Sequence, residues 1–423
     1  MISSSPSQEC FVYITPPGTT TFVTAGKFVL ETDRTGAPFG RFIYGKSYLA
    51  RQNAVPIDPV ELKLGKPTYH TTALKGVFGA LRDSGPDYWG RRVIEKHAGK
   101  AQLNELDYLL SSPDDRAGAL GFGLNPTPPA PRNLFNKTLD LEKLQGLADA
   151  LIADNDTLQG SDAEQVQDLM LIGTSMGGAR PKAVVEGEDG LWIAKFNRPD
   201  DKWNHARAEH AMLVLARACG IQSAESKVLN IGDRDVLLVK RFDREKTDTG
   251  YLRARMISGL TLLRTEDTHQ SRDHWSYVLM VEELRRVCTD PKEDAGELFR
   301  RMCFNALISN TDDHPRNHAL IAKDKNWKLS PAYDLTPSMP ISRDRRDLAM
   351  ICGDWGRYAH AENLLSQSER FYLKKYEAQT VIAEMESRVA NIWYETARRE
   401  GVSEQDCEKI SSAFVYPGFR LEQ

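Results

Sequence analysis

The chain has 423 residues, 41% of them hydrophobic, which suits two or three domains rather than one small core. Its 55 basic and 59 acidic side chains leave a formal net charge of -4, excluding a global field that would attract nucleic acid or an anionic membrane, so any DNA contact would be local or made by a partner. There is no apolar run of about 18 residues, no signal-peptide pattern in MISSSPSQEC, and no CxxC pair among the cysteines at 10, 219, 288, 303, 352 and 407, so a soluble cytoplasmic protein with reduced, mostly buried thiols is expected, without structural zinc or a disulfide framework.

From about 11 to 60, short β-prone runs (FVYI, KFVLET, RFIYGKSYL) alternate with Gly/Pro/Asp turns, as in a small antiparallel unit. GVFGALRDSGPDYWGRRVIEKH and NELDYLLSS then show apolar spacings of three and four, the helical period. Tyr88 and Trp89 in that stretch read as core residues. LNPTPPAPRN, 124–133, has four prolines and marks a linker or domain edge. KAVVEGEDGLWIAKF reads as a hairpin turning at Asp189-Gly190. In NHARAEHAMLVLARACG, the positions Met212, Leu215, Ala216 and Cys219 make one helical face and Gly220 a stop. SKVLNIGDRDVLLVKRF is a second hairpin, turning at Gly232-Asp233, and beyond 270 the chain becomes mainly helical, interrupted by the hairpin HALIAKDKNWKLS. The expected fold is α+β: a β-rich lobe followed by a helical lobe, divided as 1–124, 125–242 and 243–423.

The chemistry concentrates in NTDDHPRN, 310–317, a loop whose proline forbids a helix. Phe299, Met302, Cys303, Ala306 and Leu307 predict a packed helix that delivers the chain to it. Asp312 and Asn317 stand five residues apart, and Asp334 follows in PAYDL. Phosphoryl transfer from ATP asks for those roles: a carboxylate to deprotonate the acceptor hydroxyl, and an amide with a second carboxylate to hold magnesium. The Asp-x-x-x-x-Asn spacing is that of a kinase catalytic loop, Lys195 ends a hairpin strand where such enzymes place the phosphate-contacting lysine, and Glu209 on the next helix is placed to pair with it. GTSMGGARPK, 173–182, has small residues whose amides can approach phosphate oxygens, although it is neither a Walker A motif nor GxGxxG.

These stretches, with AEHAMLVLA, VKRFDRE and PAYDLTP in the same order, resemble the HipA family of serine/threonine kinase toxins; FIYGKSYL, PDYWGRR and DDRAGALGF are similar to that family's N-terminal subdomain. The resemblance implies a bilobal protein-kinase-like fold with ATP and Mg2+ as cofactors. It makes Asp312 the catalytic base, Asn317 and Asp334 the magnesium ligands and Lys195 the ATP lysine, with Glu209 beside it. Ser175 falls where the family carries an autophosphorylated serine, in a phosphate loop with Gly177, Gly178 and Ala179. Val239, Lys240, Arg241 and Phe242 match the interlobe hinge whose backbone meets adenine, and His314 either approaches the nucleotide or structures the loop. The implied partners are a HipB-like helix-turn-helix antitoxin, which would supply the DNA contact, and a protein substrate such as an aminoacyl-tRNA synthetase; no membrane is implied. Asp313 is a rival to Asp312, Arg316 reads as a surface salt bridge, and Arg180-Pro181 departs from the Gln-Glu of the best-known member. Two other readings stand beside this one: a metal-dependent hydrolase using Asp312, Asp313, His314 and Asp334, and a catalytically silent kinase-fold binding module.

Overall fold

Alternation of buried and exposed side chains builds the N-terminal part. In the computed structural model, which describes residues 8–98, 103–113, 115–130, 135–152, 180–339 and 342–420, strands β1 (Gln8–Ile14), β2 (Val23–Thr32), β3 (Pro38–Tyr44), β4 (Tyr69–Thr71) and β5 (Leu120–Gly123) form an antiparallel sheet in the order β4-β3-β2-β1-β5. The register sets Cys10 opposite Phe28 and Phe28 opposite Phe42. All three are buried, so one face of the sheet becomes core through the period-two geometry of the strand. The β2–β3 turn is held by Asp33, whose carboxylate accepts from the amides of Thr35 (2.8 Å) and Ala37 (2.9 Å), and Gly36 takes φ +83° there, as the turn requires.

The helices Tyr88–Ala98 and Glu105–Ser111 follow where the sequence places them. Asn104 and Asp107 cap the second reciprocally, side chain to backbone. Of the two aromatics expected in the core, Trp89 is buried, but Tyr88 is 64% exposed. Adjacent positions on a helix point about 100° apart, so only one of the pair can face the core.

Two compact units divide the chain: one takes the residues up to Arg198 with Arg241–Ile257 and Ile321–Asn326, the other Pro199–Lys240, Ser258–Leu320 and the chain from Trp327 on. In the first, β6 (Asn136–Lys137) pairs parallel with β7 (Lys182–Gly187), and β7 pairs antiparallel with β8 (Gly190–Phe196). The β7–β8 loop is Glu188-Asp189, closed by Gly187 opposite Gly190, one residue earlier than the predicted Asp189-Gly190 turn; the Trp192 indole donates to the Asp189 carboxylate at 3.0 Å and stabilises that register. A short hairpin of β11 (Arg244–Thr247) and β12 (Gly250–Arg253), for which the sequence shows little alternation, completes it.

In the second unit, Asn204 caps the helix His205–Ala218, whose Met212, Leu215 and Ala216 are buried, and Gly220 at φ +78° ends it. Strands β9 (Ser226–Ile231) and β10 (Arg234–Lys240) make the second predicted hairpin about Gly232-Asp233. The helices Tyr277–Val287, Pro291–Leu307 and Lys375–Arg399 carry its core. All six cysteines are free thiols, four of them buried. Among the described residues no helix is long and apolar enough to cross a membrane.

Candidate active site

The helix Pro291–Leu307 starts at Asp290, whose side chain accepts from the Glu293 amide, with Pro291 in the first turn where its missing N–H costs nothing. Phe299, Met302, Cys303, Ala306 and Leu307 are fully buried, which anchors the helix as its periodicity predicts. It ends in a Schellman arrangement: Ser309 adopts φ +51°, its amide donates to Ala306 O (3.3 Å), and the Asn310 amide donates to Asn305 O (2.8 Å). Glycine is usual at that left-handed position. Here the serine hydroxyl repays part of the strain by donating to Ala413 O at 2.6 Å.

The chain then enters 310–317 under close control. Buried Asn310 donates through Nδ2 to Asn305 Oδ1 (3.0 Å) and to the backbone carbonyl of Asp334 (3.5 Å), so one amide ties the helix end to the PAYDL segment. The His314 amide donates to Asp312 O (2.8 Å), Pro315–Asn317 forms a single 3-10 turn, and Asn317 Nδ2 donates back to Asp312 O (3.3 Å). That bond turns the other amide atom, Oδ1, into the group Asn317 can offer a cation. PAYDL is pinned as well: Ala332 exchanges backbone hydrogen bonds with Gln222 and Ala224 (2.7 and 2.8 Å), and the Tyr333 hydroxyl donates to Arg316 O (2.8 Å). Asp334 itself sits at φ +59°, a left-handed conformation uncommon outside glycine, which aims its side chain differently from an extended residue.

The two adjacent aspartates separate completely. Asp313 is buried, accepts from the Tyr277 hydroxyl, and meets His318 Nε2 at 2.8 Å; Asn305 Nδ2 in turn donates to the Tyr277 oxygen (3.3 Å). Its carboxylate is committed to the interior. Asp312 is solvent-accessible yet flanked by protein. Burial raises its carboxyl above the ordinary carboxylate value, and the nearby Asp334 and Asp313 carboxylates add to the rise, against partial relief from His314 and Arg272. The Asn317–Asp312 bond, the Asn310 bond to the Asp334 carbonyl and the Tyr333 bond to Arg316 O bring the three expected residues into one neighbourhood.

Other predicted residues lie as follows. Lys195 is half-buried on β8, directly opposite Lys182, which is buried and pairs with Asp87 at 2.9 Å. Glu209 is buried on the helix His205–Ala218. His314 stands edge-on to Trp275 (ring centroids 6.3 Å), and Arg316 pairs with Asp267 at 3.3 Å, the surface salt bridge expected of it. Phe242 is half-buried. Arg241, expected at the hinge to border adenine through its backbone, turns its side chain into the interior. Its guanidinium is fully buried, paired with Asp115 and with Asp243 (2.9 Å) and donating to Arg116 O (2.8 Å), while its amide donates to Leu191 O (2.9 Å). Charge of that kind is retained inside a protein only when fully paired. Ser175, Gly177, Gly178 and Ala179 fall outside the described residues.

Asn305, Tyr277, His318 and Gly259 shape the site without having stood out in the sequence. A Cβ on Gly259 would come within 2.5 Å of the Pro315 carbonyl, so only glycine permits that approach. None of the four has a local motif; Tyr277 and His318 reach Asp313 from different elements. The one signal was the lone glycine opening a helix after RMIS.

The HipA-like C-terminal domain matches residues 174–393, just over half of the chain, and the HipA N-terminal domain matches 23–123. The chain belongs to the HipA family. Among its relatives, a Sinorhizobium fredii protein named as a candidate kinase, Y4mE, is 24% identical over 329 residues, 74% of this chain and 75% of that one. A second from the same organism, Y4dM, similarly named, is 28% identical over 169 residues, 37% and 39% of the two chains. In fold, the chain is similar to the solved HipA of Shewanella oneidensis, determined with HipB and operator DNA: TM-score 0.68 at 17% identity, covering 92% of this chain and 93% of that one. The fold is therefore the kinase-like α+β fold of HipA.

Proposed function

We propose that this HipA-family chain is an ATP- and Mg2+-dependent serine/threonine protein kinase, acting as the toxin of a toxin-antitoxin pair. The observation that carries the reading is the division of labour in 310–317: one aspartate accessible and raised in basicity beside Asn317 and Asp334, the other locked in the core. In this reading Asp312 orients the acceptor hydroxyl and takes its proton as the oxygen attacks the terminal phosphoryl group. A carboxyl above its ordinary value is the better base for that transfer.

The donor set also suits the cation. An amide oxygen and a carboxylate are hard oxygen ligands, and Mg2+ is held by one or two such groups with substrate phosphates completing its sphere. Bound there, it would supply charge to the β- and γ-phosphate oxygens. Lys195 would contact the phosphates, held by Glu209, and Val239–Phe242 would border adenine through the backbone. The loop with Gly177, Gly178 and Ala179 would cradle the phosphates, and phosphate on Ser175 would place a dianion where ATP phosphates must sit, switching the enzyme off. A helix-turn-helix antitoxin would carry the DNA contact, consistent with the near-neutral charge of this chain and with the HipB and operator DNA bound to the Shewanella HipA. A translation component such as an aminoacyl-tRNA synthetase would be the substrate, and the cytoplasm the compartment.

The hydrolase alternative loses one of its four ligands, because Asp313 accepts from the Tyr277 hydroxyl and meets His318. Incubation of the purified protein with labelled ATP and magnesium tests the proposal. Incorporation into Ser175 or a substrate, falling on the order of a hundredfold or more in Asp312→Ala, is expected; turnover that survives the substitution, or binding of nucleotide without any transfer, refutes it.

A further inference from the structure

The segment leading into the helix Tyr277–Val287 carries an arginine to which no role has yet been given. Arg272 belongs to the 3-10 segment His269–His274, is exposed, and holds its guanidinium over the Trp275 ring, 5.6 Å from the centroid. Trp275 is itself buried and lies edge-on to His314 (6.3 Å), whose amide donates to Asp312 O (2.8 Å). A short chain of contacts thus links Arg272 to the loop of the candidate base, and Arg272 is among the cations the Asp312 carboxyl senses.

The surrounding acids are already taken. Asp273 pairs with Arg357 (3.3 Å), Asp267 with Arg316 (3.3 Å) and Glu283 with Arg264 and Arg286 (3.4 and 2.6 Å). Among the described residues no carboxylate pairs with Arg272. Its backbone is held too: Arg357 donates to the Arg272 carbonyl at 2.6 Å, and the Trp275 amide donates to it at 3.1 Å. Cation–π attraction to an indole restrains a guanidinium without using its N–H donors, which can still receive a carboxylate or phosphate in two parallel hydrogen bonds.

We infer that Arg272 is the anion subsite for the acceptor protein, taking a carboxylate or phosphate on a residue flanking the hydroxyl that Asp312 deprotonates. The inference rests on the kinase reading for the role of Asp312. An oxyanion could also come from ATP, but the link runs to the group that handles the acceptor, so the acceptor is the favoured source.

The test uses full-length protein and three serine peptides flanked by Asp, Ala or Lys. At saturating ATP the wild type prefers the Asp peptide, and Arg272→Ala reduces the Asp-over-Ala preference in kcat/KM about fivefold, the upper range for an exposed ion pair. Arg272→Lys restores part of it, since charge returns without the planar fork, and Arg272→Glu moves the preference to the Lys peptide. An equal fall for all three peptides, or a loss confined to the KM for ATP, overturns the subsite. Fluorescence anisotropy of the same peptides separates this from failure of the kinase reading. If no peptide is phosphorylated, Arg272-dependent binding of the Asp peptide upholds the subsite while the kinase reading falls, and binding indifferent to Arg272 overturns the subsite as well.

Discussion

Substituting the two adjacent aspartates one at a time should separate stability from activity. Asp313 is the buried member, with a hydrogen bond from the Tyr277 hydroxyl and a contact of 2.8 Å to His318 Nε2. Asp313→Ala leaves both partners facing a void, and orphaning two buried polar groups at about 1–3 kcal/mol each costs about 3–5 kcal/mol together. In a unit of this size that corresponds to a fall in Tm of roughly 6–20 °C. Asp312→Ala removes an accessible carboxylate whose charge the fold disfavours through burial and through Asp334 and Asp313. Because its folded value is raised, the ionised form is destabilising near neutrality, and its loss should leave Tm unchanged or slightly higher. Phosphoryl transfer should nevertheless fall on the order of a hundredfold or more. Differential scanning calorimetry on both variants, with a labelled-ATP assay run below the lower Tm, reads the two effects apart. The reasoning fails if Asp313→Ala melts with the wild type, or if Asp312→Ala is the less stable of the two.

Gly259→Ala sets a methyl group within 2.5 Å of the Pro315 carbonyl and 2.7 Å of Met280 Cε, so the turn carrying Asn317 must shift. Transfer should drop about tenfold or more for a stability loss of roughly 1–3 kcal/mol, measured by initial rates beside thermal melts. Burial opposes the charge on Asp243, but Arg241 and Arg244 outweigh it and hold the carboxyl well below the usual range. Its stabilisation is therefore complete above the unfolded carboxylate value of about 4 and disappears as pH falls toward the depressed folded value. Asp243→Asn should cost about 3–5 kcal/mol at neutral pH and weaken the acid dependence of Tm below about pH 4; an unchanged Tm–pH curve contradicts this. Asn204→Ala removes the cap of the helix His205–Ala218 and a 2.6 Å hydrogen bond to Asp235, so a chemical denaturation midpoint should reveal a loss of about 1–2 kcal/mol.

Local periodicity and turn chemistry were enough to locate most elements in the primary structure. Alternation placed the N-terminal strands, Gly232-Asp233 the β9–β10 turn, and the 3.6-residue spacing of Phe299, Met302, Cys303, Ala306 and Leu307 the helix leading to the site. The five-residue offset of Asp312 and Asn317 likewise named the pair that shares a hydrogen bond. Such features are legible because a strand, helix or short turn is governed by residues a few positions apart.

Which groups face inward was decided only by contacts between elements remote in the chain. Asp312 and Asp313 are identical in type and neighbours in sequence. What distinguishes them is Tyr277 and His318, which hold one carboxylate in the interior and leave its neighbour to solvent. The same holds for Arg241, a hinge residue by position, which the acids Asp115 and Asp243 draw wholly into the core. Charge burial depends on partners brought close in three dimensions, and a pattern of nearest neighbours along the chain carries no record of them.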